Sequence, residues 1–175
     1  MENSGNCPSS KPGSINLLLL LPTLLLGVLL IAGCAAADKV ESRGDKAPEK
    51  LLLFQKTPCF GTCPAYNATL YTDGSIAYVG LRYVPIKDSL QLQLPEKEFL
   101  ELRKALQELN YPSLQKTYLS SYTDLPSTYL TFYENGKEQK RVKHQQDGPK
   151  ALQDFITTLH EQIMQLVQEK AQSQQ

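Results

Sequence analysis

The sequence lacks the residues and the charge imbalance on which several classes of protein depend. Its 175 residues include no tryptophan and only two histidines. Lysine and arginine together number 18, which equals the total of aspartate and glutamate. Nucleic-acid-binding proteins attract the phosphate backbone with an excess of positive charge, and this chain has none. We therefore expect no nucleic-acid partner.

Familiar catalytic signatures are missing as well. The chain contains no GxSxG nucleophile elbow, no HExxH zinc pair and no glycine-rich phosphate loop. A nucleophile needs a base within reach, and the two histidines, His144 and His160, fall in a predicted polar strand and on the flank of a predicted helix. We therefore predict that the protein is not an enzyme and that it uses no cofactor and no metal ion.

A long apolar segment stands out near the N-terminus. Residues 17–33 carry no charge, and Lys11 together with the α-amino group supplies the positive region that precedes the apolar part of a secretory signal. The segment ends on an aliphatic residue, two small residues and Cys34. This order resembles the bacterial lipobox, and the resemblance implies cleavage before Cys34, lipidation of that cysteine and attachment to a membrane through the lipid.

These features predict a lipoprotein signal peptide at residues 1–33 and a lipidated cysteine with a flexible polar tether at residues 34–49. The domain would then lie outside the cytoplasm in a bacterial cell envelope, on a periplasmic or surface face. Ala35 follows the cysteine, which in the enterobacterial sorting rule favours the outer membrane. Two alternatives stay open, since about 17 apolar residues can also be retained as a transmembrane anchor or belong to an ordinary signal peptide.

The pattern of the following residues predicts a globular domain at residues 50–168 and a polar tail at residues 169–175. Alternating runs flank Asp73–Gly74 and Asn135–Gly136, and such pairs favour type I′ turns between antiparallel strands. The return strand after Asn135–Gly136 has one apolar residue and suits a solvated sheet edge. Further short strands are expected near residues 51–55 and 90–94.

Two segments follow helical periodicity. One opens at Pro95 and the other at Gly148–Pro149, and each then places its apolar residues on one stripe. We expect each helix to cover one side of the sheet. The predicted fold is therefore α+β, with a mainly antiparallel sheet built from hairpins and two amphipathic helices packed on it.

Cleavage before Cys34 would leave two cysteines besides Cys34 in the mature chain, and they lie close together as Cys59 and Cys63 in CFGTCP. In an oxidising compartment a disulfide is the leading interpretation. A thiol redox site favours two intervening residues at a helix N-terminus, and zinc would need two further ligands. Both alternatives stay open, and a thiol–disulfide oxidoreductase that uses Cys59 and Cys63 is the alternative function.

Candidate binding residues lie further along the chain. Asp124, in the loop segment SSYTDLPST, either caps the backbone of its own turn or contacts a ligand. If Tyr71, Tyr129 and Tyr133 lie on an uncovered face of the sheet, they form a recognition patch, although core packing or plain surface exposure would also account for them. We therefore take Asp124, Tyr129 and Tyr133 as candidates.

The lipobox, the segments TPCFGTCPAY and YTDGSIAYVG, and TDLPST followed by a strand ending in NGK together resemble a family of bacterial lipoproteins that carry a domain of unknown function. The resemblance covers most of residues 51–163, and the CFGxCP motif is its most specific part. It implies export and the cysteine pair, and it brings no activity with it. We therefore predict a lipid-anchored envelope protein whose domain binds a protein or an envelope polymer.

Overall fold

The computed structural model describes residues 47–122 and 124–174, all within the compact unit Lys46–Gln175. The predicted signal peptide, Cys34 and most of the predicted tether lie outside the described residues. The described part is an α+β domain with a seven-stranded, mostly antiparallel sheet and two helices.

The sheet is formed by Lys50–Lys56 (β1), Ala65–Tyr71 (β2), Ser75–Arg82 (β3), Ser89–Gln93 (β4), Thr117–Tyr118 (β5), Thr128–Glu134 (β6) and Lys137–His144 (β7). The spatial order is β4-β3-β2-β1-β6-β7-β5. Every neighbouring pair is antiparallel except β5 with β7.

The two turns that the sequence predicts differ in detail. Asn135 and Gly136 both have positive φ, 50° and 72°, as a type I′ turn requires. Of the pair Asp73–Gly74, only Gly74 has positive φ. The Asp73 carboxylate instead accepts hydrogen bonds from the backbone N–H and the hydroxyl of Ser75, which stabilises a different turn.

The helices span Glu96–Glu108 (α1) and Lys150–Gln172 (α2), and each begins directly after a proline. Proline suits this place because its fixed φ leads into the helix and its missing N–H would have no partner there. Helix α2 continues four residues past the predicted domain end at residue 168.

Both helices pack on the same face of the sheet, so the expectation that each would cover its own side was wrong. Helices α1 and α2 contact each other, and their buried side chains join a single core with alternate strand residues. The core-facing set includes Leu52, Phe54, Leu70 and Leu130, all nearly inaccessible to solvent. The intervening strand residues are mostly polar, so they offer no apolar surface to a second layer.

We call the uncovered side of the sheet the open face. Its side chains alternate with the core-facing ones along β1, β2, β3, β4, β6 and β7. Its central members are Leu53, Gln55, Asn67, Thr69, Ala77, Val79, Ser89, Gln91, Tyr129, Thr131, Arg141 and Lys143.

Strand β7 is an edge over only part of its length. Strand β5 pairs in parallel with its last residues, Lys143 and His144. The segment leading to β5 is held by Lys140, whose ammonium group donates to the carbonyl oxygens of Pro112 and Leu114. The sequence predicted a solvated strand because lysine and histidine count as polar, whereas Lys140 is half-buried and His144 is buried.

The antiparallel register gives the sheet two different ends. At one end, which we call the turn end, lie the tight connections at Asp73–Gly74 and Asn135–Gly136. At the other, which we call the loop end, β1, β3 and β7 finish and β2, β4 and β6 begin. The longer segments 57–64, 83–88, 119–127 and 145–149 therefore gather at the loop end.

Candidate functional site

Large apolar side chains are exposed mainly at the loop end. Most of the exposed large hydrophobic residues in the described chain lie there, and Phe60 is 96% and Tyr122 67% accessible. The five residues at this end, which we refer to together as the loop-end patch, are Phe60, Leu81, Tyr83, Leu119 and Tyr122. Single exposed apolar residues are ordinary, but several at one end of a small domain indicate an interaction surface.

Phe60 is displayed by the short loop between the two cysteines. The Sγ atoms of Cys59 and Cys63 lie 2.01 Å apart, which is disulfide distance. The Gly61 N–H donates a hydrogen bond to Cys59 Sγ at 3.2 Å, so the backbone curls around the sulfur. Because the chain is closed this tightly, the ring of Phe60 cannot fold back into the core.

Two of the loops are tied to each other. The backbone N–H of Thr57 donates to the carbonyl oxygen of Ser127 at 2.9 Å, and the N–H of Ser127 donates to the Thr57 hydroxyl at 2.8 Å. Gln145 donates through its side chain to the carbonyl oxygen of Leu125 at 3.3 Å. These bonds bring the cysteine loop beside the segment that contains Asp124.

A depression of about 430 Å³ opens between these loops. Its lining comprises Pro58, Cys59, Phe60, Arg82, Asp124 and Leu125. Arg82 contributes a positive and Asp124 a negative charge to this lining. The other lining residues are Cys59 and three apolar residues. Such a surface can hold an apolar side chain of a partner and orient the polar groups around it.

The neighbouring segment 83–88 folds closely back on β3. A Cβ atom on Gly80 would lie 2.0 Å from the carbonyl oxygen of Ile86, so only glycine fits. Tyr83 has a φ of 54°, a backbone conformation that bulky residues rarely adopt. The guanidinium carbon of Arg82 lies 5.3 Å from the centre of the Tyr83 ring. Residues held in this way cluster at binding and catalytic sites.

A polar cluster of one buried and two half-buried side chains lies beneath the loop end. Tyr66, which is fully buried, shares a hydrogen bond of 2.8 Å between its hydroxyl and Nδ1 of His160. Burial, together with the nearby charge of Lys56, lowers the pKa of His160 to about 4. Burial also raises the pKa of Tyr66 and lowers the pKa of Lys56. Because no solvent reaches Tyr66, we regard this cluster as part of the framework.

His160 thus points toward Tyr66, whereas its polarity had predicted a place on the flank of the helix. The helical spacing contains the signal, since His160 falls four residues after Ile156 and three before Ile163, both of which are buried. The polarity of the imidazole ring hid its place on the core stripe.

The predicted binding residues divide between two places. Asp124 is exposed at the loop end, near the cysteine pair. Tyr129 and Tyr133 are half-buried on the open face, where Tyr129 lies opposite Gln55 and Lys143. The guanidinium carbon of Arg141 lies 4.7 Å from the ring centre of Tyr129.

Sequence reasoning missed Phe60, Arg82 and Tyr122 as members of the site. Phe60 carried a readable signal, since a residue between two closely spaced cysteines has little room to reach a core. Arg82 and Tyr122 carried none, because their proximity depends on which loops share an end of the sheet.

Metal-ligand clusters and membrane-spanning helices are both absent from the described residues. Within residues 47–122 and 124–174, no group of three or more His, Cys, Asp and Glu side chains is arranged to hold a metal ion. Neither helix in these ranges combines the length and the apolar character of a bilayer-spanning segment.

A family model, described as a domain of unknown function (DUF6438), matches residues 50–163. The chain belongs to the DUF6438 family. The matched part of the DUF6438 protein begins at the first residue of β1 and ends within α2, so it contains all seven strands and the whole loop end. No curated protein and no solved structure matches the chain.

Proposed function

We propose that this DUF6438 protein is a lipid-anchored protein of the bacterial cell envelope whose domain binds a partner protein through the loop end and catalyses no reaction. The observation that carries the proposal is the concentration of exposed large apolar side chains at that one end. Aromatic residues such as Phe60 and Tyr122 are typical anchors of protein interfaces.

The rigidity of the loops supports this function. The cysteine pair fixes the backbone around Phe60, and the bonds between Thr57 and Ser127 hold it against the neighbouring loop. In this proposal the hairpins and the amphipathic helices form the framework that carries these loops. A surface held in place before binding loses less conformational entropy when the partner arrives.

The place of Lys50 in the sheet supports it too. Lys50, the first residue of β1, lies at the turn end, so the tether from Cys34 joins the domain a full strand away from the loop end. Seven strand residues span about 23 Å. A Cys34 that carries a diacylglyceryl group and a further acyl chain would hold the protein stably at a bilayer, whereas a single chain binds reversibly. Ala35 makes the outer membrane the proposed location.

A second candidate function is thiol–disulfide exchange, which the hydrogen bond from Gly61 N–H to Cys59 Sγ favours. After reduction, the same N–H would stabilise a Cys59 thiolate. The loop contains no helix N-terminus that would add to this effect. Ready exchange with glutathione would support this function and count against a purely structural bridge.

The binding function is tested by capture from intact envelopes with the full-length anchored protein. The captured protein is then purified and its affinity measured directly. We expect the double substitution Phe60→Ala with Tyr122→Ala to weaken binding roughly tenfold or more. Leu100→Ala is the control, because Leu100 is an exposed large apolar residue on α1, away from the loop end. Equal binding by all three proteins would refute the assignment of the loop end.

The anchor is tested separately by labelling cells with radioactive palmitate. We expect label on the wild-type protein and none on Cys34→Ala, together with an intact mass that lacks residues 1–33. An unlabelled wild-type protein that retains its leader would show that the lipoprotein interpretation is wrong, and it would leave the loop-end assignment untouched.

A further inference from the structure

We infer that the open face of the sheet binds an anionic polysaccharide through Arg141 and Lys143. This surface differs from the loop end, and the inference does not depend on the anchor. Arg141 and Lys143 stand two residues apart on β7, so their side chains leave the sheet on the same side. In the register they lie opposite Thr131 and Tyr129 of β6.

The two cations are held in place by their neighbours. The Arg141 guanidinium carbon lies 4.7 Å and the Lys143 ammonium nitrogen 6.0 Å from the ring centre of Tyr129. Arg141 also donates to Oε1 of Gln55 at 3.2 Å, and Gln55 donates to Oδ1 of Asn67 at 3.0 Å. This chain of contacts spans four neighbouring strands, β7, β6, β1 and β2. It leaves most of the guanidinium donors of Arg141 free for a ligand.

Arg141 and Lys143 have no carboxylate beside them in the two rows of paired residues that cross the sheet through them. Glu138, opposite Tyr133, lies beyond these rows. None of the salt bridges found in the described part of the chain involves Arg141 or Lys143. The rows are Lys143, Tyr129, Gln55, Asn67, Val79, Ser89 and Arg141, Thr131, Leu53, Thr69, Ala77, Gln91.

An unsatisfied polar group lies between the cations and the rest of the face. Thr131 is only 1% exposed, and its Oγ1 atom has no hydrogen-bond partner among the described residues. Buried hydroxyl groups nearly always have such a partner. A ligand oxygen that draws the Arg141 side chain outward would give the Thr131 hydroxyl a hydrogen-bond partner.

The neighbouring side chains favour a polysaccharide over other anions. Most residues of the two rows offer amide or hydroxyl groups, which match the hydroxyls of sugars. An anionic bilayer would be bound with inserted apolar side chains as well, and Val79 is the only exposed large hydrophobic residue in these rows. Six strands give the rows a width of about 24 Å, which suits an extended polymer.

The inference is tested with immobilised polygalacturonate, whose sugars carry free carboxylates. The full-length protein should bind this polymer in a salt-sensitive way and should not bind its fully methyl-esterified form. We expect Arg141→Gln with Lys143→Gln to weaken binding roughly tenfold or more. Lys97→Gln with Lys104→Gln on α1 removes the same charge from exposed sites and should leave binding unchanged.

Three outcomes would overturn the inference: equal binding of the esterified polymer, an equal loss in the control variant, or retention only by vesicles of anionic lipid. Arg141→Gln alone is the control for misfolding of the double variant, because Arg141 is exposed whereas Lys143 is half-buried. This single variant should weaken binding with an unchanged melting temperature. Arg141→Lys with Lys143→Arg keeps both charges and should retain most of the affinity.

Discussion

The turn end and the loop end of the sheet differ in their roles: the chain reverses direction at the turn end and exposes large apolar side chains at the loop end. The turn end is made of tight connections, and none of the exposed large hydrophobic residues of the described chain lies in them. The loop end carries five such residues, four of them in its longer segments and Leu81 near the end of β3. The chain thus reverses direction through short turns at one end, and at the other end its longer loops present side chains to a partner.

The core also differs in polarity between the two ends. Near the turn end, the core-facing positions are mainly aliphatic and aromatic, as at Leu52, Leu70 and Ile76. Near the loop end they include Lys56 and the hydrogen-bonded pair of Tyr66 and His160. Polar groups taken from water weaken a fold unless they are well paired. We therefore expect the stability of the domain to be most sensitive beneath the loop end.

The largest effect is expected when a methyl group is added to Gly80 at the loop end. The same addition to Gly136 at the turn end provides the comparison. Gly80→Ala places its Cβ atom against the carbonyl oxygen of Ile86, so the segment 83–88 must move. We expect the free energy of unfolding to fall by about 3 kcal/mol, measured by urea denaturation. Gly136→Ala at the turn end meets no atom within 4 Å and suffers only from its positive φ of 72°. It should cost about 1 kcal/mol.

An equal loss in the two glycine variants would contradict the contrast between the ends. Partner binding provides a second readout, because only Gly80 adjoins the loop-end patch. The Gly80 variant should bind more weakly even under conditions where it stays folded, whereas the Gly136 variant should bind as the wild type does.

Much of the fold follows from local patterns in the sequence. Alternation of apolar and polar residues predicts β2, β3 and β6 to within a residue or two, because one face of each strand is buried, and a short apolar run predicts β1. Proline and the helical stripe predict the starts of both helices, since these signals act within a few residues. The tight connection at Asn135–Gly136 follows from the same kind of local chemistry.

Long-range features were not predictable in this way. The two-residue strand β5 depends on Lys140 holding a distant segment, and the shared side of the two helices depends on comparing all the strands at once. The candidate site divides likewise. The pairing of Cys59 with Cys63 could be expected from the predicted oxidising compartment, but the meeting of Asp124 with Arg82 is a product of topology.

An intermediate effect is expected from removal of the cysteine pair. Cys59→Ser with Cys63→Ser opens a loop of only five residues, so the free energy of unfolding should fall by about 2 kcal/mol. Partner capture should persist, because the bonds between Thr57 and Ser127 still hold the loop. The bridge should also resist dithiothreitol in the folded protein. Loss of a measured redox activity with unchanged stability would favour the oxidoreductase instead.

The smallest effect concerns pH, and it isolates the polar cluster beneath the loop end. Above pH 6.5, His160 is neutral in both the folded and the unfolded chain, so it adds no pH dependence. Between pH 6.5 and about 4, the unfolded chain binds a proton at His160 and the folded chain does not, because burial and Lys56 hold its pKa near 4. The free energy of unfolding must therefore fall as the pH falls through this range.

The variant His160→Gln keeps an acceptor for the Tyr66 hydroxyl and cannot be protonated in this range. Urea denaturation at pH 7 and pH 5 should show the wild type losing about 1 kcal/mol more than the variant, after allowance for the solvent that still reaches the ring. Below pH 4 both states of the wild type are protonated at His160, so the difference should stop growing. If wild type and variant lose the same stability between pH 7 and pH 5, the sensitivity lies elsewhere, and the contrast between the two ends rests on the glycine and cysteine variants alone.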